Sequence, residues 1–142
     1  MDTVLWLPRI AIFWLVTVPL LTLIHELGHA AAGLLTTRGA VTVSIGTGGK
    51  ARTISLGRLS MELCLFSSLI GFCTRENASR SRSGEVLFYG AGPMFSLISA
   101  ATPGYLGSSL SGDSSLGKVL LSASSGAFWQ LIVTLVPVRY PS

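Results

Sequence analysis

Three stretches of this chain carry no charged side chain for long enough to cross a bilayer, and the polar segment between the first two alternates like a strand. The first apolar run extends from Ile10 to Ile24 without a charge and continues through one short polar cluster to Thr37, with Arg9 and Arg38 bracketing it. The 28 residues between those arginines would span ~42 Å as a helix, enough for a ~30 Å hydrocarbon core with some tilt. Pro19 is the predicted kink. The second run is Val86 to Leu106 and the third Val119 to Val136. Between the first two, Val41-Thr42-Val43-Ser44-Ile45 and Ile54-Ser55-Leu56-Gly57 alternate, with turn residues Gly46 to Gly49 between them, which predicts a β-hairpin. Leu59 to Phe72 is apolar but interrupted by Glu62 and preceded by Arg58, so it is expected at the interface or as a re-entrant segment. Thr74 to Gly84 has no apolar periodicity and is expected to be a mobile loop. The expectation is an α-helical multi-pass membrane protein, one domain over 1–142, with about three transmembrane helices and a β-hairpin insert within a cytoplasmic segment, 36–85.

Composition agrees with that solvent. Hydrophobic residues make up 49% and charged residues 11% of the chain, against about 25% charged in a soluble domain, and mean hydropathy is +0.64. A cleaved signal peptide is not expected, because the first run is long and Asp2 precedes its single Arg9. The net charge of +4 is small and dispersed, which argues against nucleic acid as a partner. Cys64 and Cys73 have no metal-ligand spacing and are expected as free thiols. Arg38, Lys50, Arg52, Arg58, Arg75, Arg80 and Arg82 crowd the first connection, whereas Gly107 to Lys118 carries only Lys118. The positive-inside rule therefore puts the insert in the cytoplasm, the Gly107 to Gly117 connection outside and Arg139 inside, with Arg9 running against the rule. That predicts an integral protein of the cell membrane. Gly46-Thr47-Gly48-Gly49-Lys50 lacks the register of a phosphate loop and is expected as a turn, and Asn77-Ala78-Ser79 would face away from the glycosylation machinery.

The short polar cluster inside the first run carries the chemistry. Leu23-Ile24-His25-Glu26-Leu27-Gly28-His29-Ala30 is an H-E-x-x-H motif that uses both histidines of the chain. On a helix, positions i and i+4 share a face, so His25 and His29 can hold one Zn2+ while Glu26 serves as general base. Ionisable groups in hydrocarbon cost several kcal/mol on the usual scales and mark functional sites. The cytoplasmic end of the helix is nearer, with His25 roughly 15 Å along the axis from Leu35. The cluster Gly90-Ala91-Gly92-Pro93 in the second run predicts close packing against the motif helix.

His25-Glu26-Leu27-Gly28-His29-Ala30 in a first membrane helix, a β-rich insert and Ala91-Gly92-Pro93 in a second helix together resemble the site-2 protease class of intramembrane zinc metallopeptidases. Leu131 to Pro137 resembles that family's third core helix. The resemblance implies zinc held by His25 and His29 with an Asp from the third helix, Glu26 as catalytic base, and a transmembrane protein as substrate. The hairpin edge at Val41 to Ile45 could hold an extended substrate segment by strand addition, as the resemblance also implies, or the hairpin could be only a membrane-surface lid. The family's polar residues of the second and third helices would fall near Ser96 and Thr134. No Asp or Glu follows Asp113, which the topology places outside, and the chain stops at Tyr140-Pro141-Ser142, about where the family's Asp-Gly pair is expected. Three readings stay open, the first two being a piece of a longer zinc-dependent endopeptidase and a catalytically silent relative that binds or regulates transmembrane partners. A metal-handling or scaffold membrane protein is the third.

Overall fold

Backbone amides in hydrocarbon must be paired within their own segment, and each of the three apolar runs meets that demand as a helix. The computed structural model describes residues 6–46, 51–64, 70–110 and 114–135. Helix α1 spans Trp6–Thr36 and passes through Pro19, α2 spans Arg82–Ser109 and α3 spans Ser115–Leu135. All three are long and apolar enough to cross a membrane. Their outward faces carry Leu15, Val16, Val86, Tyr105, Trp129 and Ile132, the reverse of a water-soluble bundle and the surface that lipid would cover. Asp113 and the segment 136–142, with Arg139, lie outside the described residues.

Between α1 and α2 the chain forms β1 (Val41–Ile45), β2 (Arg52–Leu56), β3 (Leu59–Leu63) and β4 (Gly71–Arg75), in one sheet ordered β2-β3-β1-β4. The expected hairpin of β1 with β2 does not form. Instead β2 turns through Gly57-Arg58 into antiparallel β3, while β1 pairs parallel with β3 and antiparallel with β4. Gly46, after Ile45, therefore opens a crossover connection, and residues 47–50, expected as part of a turn, lie outside the described residues. A parallel neighbour is possible because β2 and its turn lie between β1 and β3 in sequence.

The apolar stretch from Leu59 is likewise not re-entrant where described. Its charges are used: Arg58 Nη1 and Nη2 donate to Thr37 O and Leu34 O at 2.8 Å each, satisfying terminal carbonyls of α1. Glu62 accepts from Ser44 Oγ at 3.0 Å. Nor is Thr74 to Gly84 a free loop, since β4 reaches Arg75 and α2 begins at Arg82. Ser81 caps α2 by accepting from Gly84 N at 3.1 Å, and Glu85 in the first turn accepts from Ser79 N at 2.7 Å.

The sheet lies against α1. Val41, Val43 and Ile45 alternate inward and are buried with Ala30, flanked by Leu23 and Leu34, so β1 is seated by the same period that predicted it as a strand. Ala32, Phe88 and Ala91 join α1 to α2, and Leu21, Ala100 and Ala127 join all three helices. Ser124 Oγ donates to Ala100 O at 2.7 Å across α2 and α3.

Candidate metal centre

Helical spacing brings the motif together as the sequence predicts. His25 and Glu26 are buried and His29 is half-buried. The two Nε2 atoms stand 3.2 Å apart, with the rings nearly perpendicular at 79°. Two nitrogens at a ~2.05 Å bond length around one tetrahedral zinc stand about 3.3 Å apart. The pair fits as two ligands of such an ion.

Helix α2 fixes both rings from behind. His29 Nδ1 donates to Phe88 O at 2.6 Å, and His25 Nδ1 meets Ser96 Oγ at 2.8 Å. A carbonyl can only accept, so His29 carries its proton on Nδ1 and offers a lone pair at Nε2. Ser96 can act either way. With a cation between the rings it accepts from His25 Nδ1–H, and both Nε2 lone pairs face the ion. Without one it donates to Nδ1, and His25 Nε2–H donates to His29 Nε2. Partners of this kind orient metal-binding imidazoles.

The close approach that permits these bonds depends on two glycines. A Cβ on Gly92 would lie 2.6 Å from His29 Cδ2, and one on Gly28 would lie 2.7 Å from Ala91 O. The small cluster of the second run thus presses directly on the face of α1 that carries the two histidines. Arg75 pairs with Glu85 and stacks over Phe88 at 4.2 Å, bracing the segment that supplies the carbonyl for His29.

Glu26 faces the sheet. A Cβ on Gly71 would stand 2.9 Å from Glu26 Cγ and 2.6 Å from Thr22 Cγ2, so β4 passes over this acid. Glu26 Oε2 is buried without a hydrogen-bond partner among the described residues. Cys73, also on β4, is a free thiol pushed up to about 12 by burial and then by the Glu26 carboxylate, with Arg75 opposing.

Of the positions expected for the family's polar residues, Ser96 reaches the site. Thr134 is exposed, and its hydroxyl donates to Leu131 O within its own helix. Gln130 of α3 was not foreseen: its Nε2 donates to Thr22 Oγ1 at 3.2 Å. Its signal in the sequence is that it is the one side-chain amide in the third apolar run. Among the described residues, no third His, Cys, Asp or Glu joins the pair. Comparison of the chain with family models, curated proteins and solved structures returns no match.

Proposed function

We propose that this chain is a zinc-dependent intramembrane endopeptidase of the site-2 protease type, cutting transmembrane protein substrates. The observation that carries the reading is the convergence of His25 and His29 Nε2 at 3.2 Å, with both Nδ1 atoms held by α2, beside a buried Glu26 with an unpaired oxygen. Three apolar helices around that centre support a setting within the bilayer. The basic insert supports its facing the cytoplasm.

His25 and His29 would hold the metal. Bound there, zinc would polarise the scissile carbonyl and activate the attacking water. Glu26 Oε2 takes the proton of that water and hands it to the departing amine nitrogen. Because a helical substrate hides its peptide bonds in its own hydrogen bonds, it must unwind before attack. The expected docking edge, Val41 to Ile45, has both sides occupied in the sheet, so it accepts no further strand. The edge beside Glu26 is β4, and an unwound segment pairing along it would pass the acid.

The test is metal content followed by cleavage. The purified chain is expected to hold near one zinc, to lose it in His29→Ala, and to keep it in Glu26→Gln while cleavage of a helical membrane substrate stops. Equal cleavage by Glu26→Gln refutes the role of the base. A second reading, a silent relative that binds transmembrane partners, is favoured by the two-ligand set among the described residues. It predicts substrate binding without cleavage in the unmodified chain.

A further inference from the structure

Gln130 carries an unmet demand beside the proposed centre. Thr22 Oγ1 donates its own hydrogen to Val18 O at 3.0 Å, so toward Gln130 it can only accept. The amide orientation follows from that: Nε2 must face Thr22, because the flipped amide would set two acceptors against each other. Oε1 then points elsewhere, and it is buried without a partner among the described residues. Thr22 lies one helical turn before Glu26, whose Oε2 is in the same condition, and Gly71 of β4 packs on both. Thr22 thus touches Gln130 through its hydroxyl and Gly71 of β4 through its methyl. Unpaired buried acceptors at Gln130 and Glu26 call for hydrogen-bond donors.

We propose that Gln130 is a substrate-binding residue whose Oε1 accepts a backbone N–H of the unwound transmembrane segment lying along β4. The inference rests on the endopeptidase reading. Unwinding a helix in hydrocarbon frees N–H groups that must find acceptors. Oε1 supplies one from the third helix, beside Thr22. Thr22 acts as the positioning residue, since its acceptor role fixes which end of the amide faces the substrate.

The test uses the Glu26→Gln chain in nanodiscs as a non-cleaving trap. The probe is a fluorescent single-span alanine–leucine peptide carrying a central Gly-Pro pair. Replacing Gln130 by Leu should weaken binding of this probe about tenfold, the cost of one unmade buried hydrogen bond, with zinc content unchanged. A series of probes in which single backbone amides become esters, each removing one N–H, should then show one position that weakens binding to the Gln130 protein and has no further effect in Gln130→Leu. Unchanged affinity in Gln130→Leu overturns the proposal and leaves the oxygen to a buried water. A loss that every ester adds to equally also overturns it. Gln130→Met, close in length, replaces the leucine variant if that one does not fold. Zinc content and cleavage by the Glu26-bearing chain report separately on the endopeptidase reading, so either idea can fail alone.

Discussion

Replacing Gly92 by Ala should disable the proposed metal centre through a single methyl group. The added Cβ would stand 2.6 Å from Cδ2 and 2.7 Å from Cε1 of His29, whereas carbon atoms in contact sit about 3.5–4.0 Å apart. The ring must therefore retreat from α2 by about 1 Å. That movement stretches the 2.6 Å bond from His29 Nδ1 to Phe88 O to about 3.6 Å, beyond hydrogen-bond range. It also disturbs the 3.2 Å pairing with His25. Overpacking of this kind costs about 1–3 kcal/mol of stability, and loss of an outer partner of a metal-binding imidazole lowers affinity about 10- to 100-fold. Zinc titration in detergent with a competing chelator measures the second effect, and a thermal scan the first. Gly90 supplies the control on the same helix. A Cβ there meets nothing within 4 Å, so Gly90→Ala should leave zinc affinity unchanged and, by helix propensity, stabilise α2 by about 0.5–1 kcal/mol. If Gly92→Ala bound zinc as the parent does, the close packing of α2 on His29 would have no bearing on the metal.

Further outcomes follow from the neighbouring contacts. Ser96→Ala removes the partner of His25 Nδ1 and should reduce zinc affinity about tenfold, read by the same titration, with Ser96→Thr restoring part of it. Gly71→Ala would crowd Glu26 and Thr22 from the sheet side, so cleavage is expected to fall at least about tenfold while zinc content holds; equal losses of both would refute this division of labour. Cys73, raised from 9.0 to about 12, should react with iodoacetamide at pH 8 on the order of a thousandfold more slowly in the folded than in the urea-unfolded chain. Because its pKa is raised on folding, its contribution to stability is full below pH ~9 and is lost as pH rises toward 12, visible as a falling denaturation midpoint at alkaline pH.

The helices were legible because lipid imposes a simple rule: some twenty residues without charge. The motif was legible because i and i+4 positions meet on any helix. Strand pairing was not, since alternation in Val41–Ile45 and Ile54–Leu56 marks strands without saying which ones pair. Nearest neighbours were joined through Gly46 to Gly49, yet β1 took β3 instead. Arg58 and Glu62 looked like interruptions of an apolar segment because their partners, Leu34 O, Thr37 O and Ser44 Oγ, lie 18 to 24 residues away. Arg75 looked like part of a solvated basic loop for the same reason, with Glu85 ten residues on. Gln130 depends on Thr22 across 108 residues, a contact that no local pattern reveals.

The strand that covers Glu26 is the last of the four to be made. Synthesis passes Thr36, the end of α1, 35 residues before it reaches Gly71, and β1 cannot take its central place until both β3 and β4 exist. During synthesis the acid therefore has neither its roof nor the helix that steadies the two imidazoles. If the centre acts as proposed, chemical competence arrives late in translation, and a partly made chain carries an unassembled blade.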